Sequence, residues 1–127
     1  LTGLTKLSIV GNSCPDAFQS LEPLSGLTGL LDLEICFCRS TAIDLAPLAG
    51  LTQLTRLSIE SFSPSDPVTN LQALSGMTQL RVLELSIPSL RDLSPLASLT
   101  SLQSVTIDGA ENLDTSPLAH VPSVNIH

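Results

Sequence analysis

The stretch "LRDLSPLASLTSLQSVTI", Leu90 to Ile107, decides the fold. Its large apolar residues are Leu90, Leu93, Leu96, Leu99, Leu102, Val105 and Ile107, five steps of three and then one of two. A step of three suits neither an α-helix nor a strand. It matches a 3₁₀ turn, where side chains at i and i+3 eclipse and stack one apolar edge. The closing step of two belongs to a short strand buried on one face. One coil therefore has a strand on one side, a 3₁₀ segment on the other, and leucines between.

The same pattern recurs along the chain. "LTGLTKLSI", "LTGLLDLEI", "LTQLTRLSI", "MTQLRVLEL" and "LTSLQSVTI" start at Leu1, Leu27, Leu51, Met77 and Leu99, at intervals of 26, 24, 26 and 22 residues. A partial sixth unit starts at Val121, so 1–127 reads as a single repeat array and as an excerpt of a longer protein. Two columns not used in the alignment agree with its phase. Gly26, Gly50, Gly76, Ser98 and His120 precede the starts, and Pro23, Pro47, Ala73, Pro95 and Pro117 stand three residues earlier. Proline fits a first turn, because its missing N–H would be unpaired there. Ser94 and Ser116 before it are expected to cap, and glycine to let the chain turn back. A lone coil cannot bury its own apolar edge, so neighbours must stack. The excess residues, "GNSCPDAFQSLEP" and "SFSPSDPVTNLQA", follow the strands of units one and three as expected loops, with Phe18 and Phe62 as candidate anchors or as local packing.

Composition narrows the function. The chain has 127 residues, a net charge of −7, three phenylalanines and no Tyr or Trp. Its five basic residues, Lys6, Arg39, Arg56, Arg81 and Arg91, are scattered, which argues against nucleic acid as a direct partner. No apolar run is long enough to cross a membrane as a helix. Cys14, Cys36 and Cys38 are an odd count and read as free thiols; with no N-x-S/T sequon this leans toward an intracellular setting, the bacterial cell surface being the other. Neither His120 nor His127 stands in a metal or nucleophile motif, and no acid pair implies proton transfer. No catalytic residue, cofactor or metal ligand is expected.

The shared core L-x-x-L-x-x-L-x-L resembles the leucine-rich repeat signature over essentially the whole chain. Units of 22 residues containing "DLSPLASLTSL" are most similar to the internalin-like class. That resemblance implies an α/β solenoid: an arc with a parallel β-sheet on the concave face and 3₁₀ or irregular segments on the convex face. In such proteins an Asn after each strand bonds neighbouring backbone, whereas the column here reads Asn12, Cys38, Phe62, Pro88 and Ala110. Irregular turns are expected at Phe62, Pro88 and Ala110, where the side chain cannot replace an amide's bonds.

Such arrays, the resemblance implies, bind proteins on the concave face. Strand phase alone names the residues there: Lys6, Ser8 and Val10; Asp32, Glu34 and Cys36; Arg56, Ser58 and Glu60; Val82, Glu84 and Ser86; Ser104, Thr106 and Asp108. Five acids against two bases would steer a partner with a basic surface. The plainer reading is that exposed strand positions must be polar, and an acidic chain makes them acidic. The sequence thus supports a non-catalytic recognition or scaffold module, with a structural spacer within a larger solenoid or multidomain protein as the other reading.

Overall fold

The computed structural model describes residues 4–10, 22–37, 43–61, 68–69, 71–88, 90, 92–109 and 114–126. Its strands are β1 (Lys6–Val10), β2 (Asp32–Phe37), β3 (Ile43–Asp44), β4 (Arg56–Ser61), β5 (Val68–Thr69), β6 (Val82–Ser86), β7 (Ser104–Asp108) and β8 (Ser123–Ile126). Six of them form one open parallel sheet in the order β1-β2-β4-β6-β7-β8. Each coil returns through a 3₁₀ segment: Glu22–Leu24, Ala46–Gly50, Leu71–Gly76, Ser94–Ser98 and Ser116–Leu118. The molecule is a solenoid arc with the sheet on its concave side.

The backbone explains the step of three. Leu96 N–H donates to Leu93 O, Leu99 N–H to Leu96 O and Leu102 N–H to Leu99 O, at 2.9 to 3.2 Å. Leu45, Leu48, Leu51 and Leu54 repeat that chain two layers away. Each leucine hydrogen-bonds the leucine three before it, so all of them project along one edge. That edge meets the inward side of the sheet. Leu33, Leu57, Leu83 and Val105 are fully buried there, as are Leu30, Leu54, Leu80, Leu48, Leu74 and Leu96. Burying one leucine contributes about 1.5–3 kcal/mol, and the layers repeat the same contact.

A second set of bonds fixes where each coil enters the sheet. The carbonyl of Thr5 accepts from both Leu31 N–H and Asp32 N–H, at 2.7 and 3.0 Å. Leu31, Thr55 and Arg81 each accept two N–H groups from the next coil in the same way. Gln103 O accepts from Ser123 N–H at 3.2 Å, while its neighbour Pro122 has no N–H to offer.

Two expectations about the turns are corrected. Ser94 and Ser116 do not cap; they are the first residues of their 3₁₀ segments. The acceptor is the aspartate two residues earlier. Asp92 Oδ1 accepts from the backbone N–H of Ser94 at 2.9 Å and from its hydroxyl. Asp114 does the same for Ser116 at 3.0 and 2.6 Å, and Asp44 accepts from Ala46 N–H at 2.9 Å. A carboxylate two residues upstream can fold back over the free N–H, which a serine hydroxyl on the same residue cannot do. Nor does turning back require the glycine column. Gly26 and Gly76 have open space where a Cβ would sit, and among the described residues the positive-φ glycine is Gly109, at +82° after β7.

The chain turns at Pro88, as expected, while Phe62 and Ala110 lie outside the described residues. So do Phe18, most of both insertions, Cys14 and Cys38. The second insertion contains β5, which pairs in parallel with β3 through Ile43–Val68 and Asp44–Thr69. Elements of two residues are too short to leave a periodic trace, so this small second sheet has no counterpart in the sequence reading.

Candidate protein-interaction face

Parallel pairing without offset stacks equivalent residues of successive coils. Lys6, Asp32, Arg56, Val82 and Ser104 form one row across the sheet, at the strand starts. Ser8, Glu34, Ser58, Glu84 and Thr106 form the second. Val10, Cys36, Glu60, Ser86 and Asp108 form the third, at the strand ends. The register thus places every position named from strand phase in one of these three rows. The rows also extend to Ser123 and Asn125 of β8, which that reading omitted because the sixth unit is incomplete in sequence. The V-N-I spacing of Val124 to Ile126 was the available signal.

Alternation separates scaffold from surface along each strand. In β6 the residues are by turns half-buried and buried: Val82, Glu84 and Ser86 face out, Leu83 and Leu85 face the core. Cys36 departs from this. It lies in the third row but is 6% exposed, so it adds little surface. Its burial, followed by the nearby carboxylates of Glu60 and Glu34, pushes the thiol pKa above its usual value. A neutral, covered thiol is a poor nucleophile.

The charges on the face interact unevenly. Arg56 Nη1 lies 3.0 Å from Asp32 Oδ1, and its Nη2 lies 3.6 Å from Glu84 Oε1. Lys6 Nζ is 3.9 Å from Asp32 Oδ2. Asp32 therefore sits between both cations, and the hydrogen bond it accepts raises the guanidinium pKa of Arg56 further. Ser8 Oγ donates to Glu34 Oε2 at 3.4 Å. Glu60 and Asp108 form no ion pair among the described residues. A shallow depression of about 190 Å³ lies beside them, lined by Ser58, Glu60, Glu84, Ser86, Thr106 and Asp108. No three His, Cys, Asp or Glu side chains among the described residues are placed to hold a metal ion, and no described helix is long and apolar enough to cross a membrane.

Solved structures give the comparison. The chain is similar to internalin C2 of Listeria monocytogenes, with 33% identity over 85% of this chain and 46% of that one, at a TM-score of 0.66. It is also similar to the internalin InlF of the same organism, with 29% identity over 84% of this chain and 31% of that one, at a TM-score of 0.69. The functional domain of InlJ from Listeria monocytogenes, which includes a cysteine ladder, shares the fold at 18% identity and a TM-score of 0.55, over 82% of this chain and 26% of that one. The chain spans less than half the length of each of these structures. No family model matches it, and no curated protein does.

Proposed function

We propose that this chain, a leucine-rich repeat protein of the internalin-like class, is a non-catalytic module that recognises another protein through its concave sheet, with the two insertions as a second contact segment. The observation that carries the reading is the three-row surface. Most of its side chains are polar and half-buried or exposed, and they stand on strands that the buried leucines hold rigid, the arrangement a recognition surface needs. The face is net acidic, and the partner surface it suits is basic. It carries no Tyr or Trp and one Arg, so it lacks the residue types that dominate tight interfaces. Affinity from this segment is expected to be modest and to grow when further surface contributes.

The test is charge reversal on the face. The variant Asp32→Lys, Glu34→Lys, Glu60→Lys and Glu84→Lys is compared with the wild type in affinity capture, with bound proteins quantified by mass spectrometry. Loss of at least about tenfold of each enriched protein is expected, since several like-charge contacts replace attractive ones. Unchanged capture by a folded variant would sink the concave-face reading and leave the array as a spacer.

A further inference from the structure

On the reading that the concave face recognises protein, on which this inference rests, we propose that the footprint is confined to the strand-end half of the face. There Glu60, Glu84 and Asp108 receive an arginine- or lysine-bearing segment of the partner, and Arg56 limits the footprint by competing for Glu84. The asymmetry lies in how the face is paired. The first row holds Lys6, Asp32 and Arg56 and sums to one positive charge. The second and third rows each hold two acids and no base. Both cations lean on Asp32, at 3.9 and 3.0 Å, so that carboxylate is already neutralised and the row, left with one net positive charge, repels an incoming cation.

The strand-end half is complementary to one. Glu60 and Asp108 stand two strands apart, roughly 10 Å at the usual spacing, with Ser86 between them in the row. The depression beside them adds the hydroxyls of Ser58, Ser86 and Thr106, acceptors for the several donors of a guanidinium or ammonium group. Carboxylates set in a concavity reinforce one another's potential. The aliphatic stem of an Arg or Lys can lie along the sheet while its head reaches them. Among the described residues Arg56 is the first-row cation that reaches toward this half, and its contact with Glu84 is the longer of its two, at 3.6 Å. A partner cation that takes Glu84 displaces that contact and leaves Arg56 on Asp32.

A fluorescein-labelled octa-arginine peptide tests this by fluorescence anisotropy at low ionic strength, with circular dichroism confirming that each variant folds. The double variant Glu60→Gln, Asp108→Asn is expected to bind about fivefold or more weakly than the wild type, the loss of two partly exposed ion pairs. Arg56→Gln, which removes the internal competitor, is expected to bind a few-fold more tightly. An unchanged Glu60→Gln, Asp108→Asn variant beside a weakened Glu34→Gln variant overturns the footprint and leaves concave-face recognition standing. Unchanged binding in all face variants overturns both, and weaker binding in Arg56→Gln overturns the competitor role. No binding of the peptide to the wild type overturns the footprint.

Discussion

The described glycines of this chain are not interchangeable, and the difference is measurable. Gly109 has φ of +82°, where an L side chain is strained, although the nearest atom to an added Cβ, Pro88 Cγ, is at an ordinary 3.5 Å. Gly109→Ala is therefore expected to destabilise by about 1–2 kcal/mol through backbone conformation and not through a clash. Gly76 has open space and no such φ, so Gly76→Ala is expected to be neutral or to stabilise by about 0.5 kcal/mol. Urea unfolding of both variants checks the pair, and equal effects would contradict the distinction. The repeat alignment picked out Gly26, Gly50 and Gly76 because they form a column, and missed Gly109 because the three units before it carry Phe37, Ser61 and Ile87 at that position. Column position is legible in sequence, whereas φ is set by how β7 leaves the sheet. Cys36 shows the same limit. Its outward phase was legible, but its cover depends on neighbours that pattern alone does not place.

At the scale of the element, two of the 3₁₀ segments are started by aspartates with shifted titration. Hydrogen bonds from the hydroxyl and then the backbone N–H of Ser94 hold the Asp92 carboxyl below its usual pKa, and Ser116 does the same for Asp114. A carboxylate whose folded pKa is lowered stabilises the fold above the ordinary carboxylate range. That contribution is lost as pH falls through the range and on through the lowered value. Thermal melts from pH 7 to pH 3 should show the midpoint falling on acidification, and falling less in the Asp92→Asn, Asp114→Asn variant, whose amides accept the same bonds without titrating. An identical acid slope in both proteins would contradict the assignment. The elements themselves were legible because steps of three and two map directly onto 3₁₀ and strand geometry. Their caps were misassigned by one residue type, since "DLSP" and "DTSP" offer two acceptors two residues apart and only the backbone path decides between them. The three rows of the concave face follow from strand phase, but which of their charges pair does not. Arg56 reaching Glu84 is a diagonal contact that depends on rotamers.

Across the whole molecule each coil contacts its neighbours, so stability is expected to be greatest in the middle and to decline toward both ends. Leu57 is fully buried between β2 and β6, while Leu7 in β1 and Val124 in β8 are partly exposed. Hydrogen exchange should accordingly protect the amides of β4 and β6 most and those of β8 least, where Pro122 removes one inter-coil bond. Leu57→Ala should cost about 2–5 kcal/mol, and Leu7→Ala distinctly less, by urea unfolding. Equal protection in every strand would mean that the array unfolds as a single unit. The paired carbonyl ladder has a further consequence for how such a sequence can change. Coils of 26, 24, 26 and 22 residues all enter the sheet at equivalent carbonyls, those of Thr5, Leu31, Thr55, Arg81 and Gln103. Register is reset once per turn, before every strand. Added or deleted codons in the segment after a strand are therefore absorbed within their own coil, and the side chains presented downstream keep their places. Length polymorphism and surface identity are decoupled, so the gene can vary one while selection holds the other.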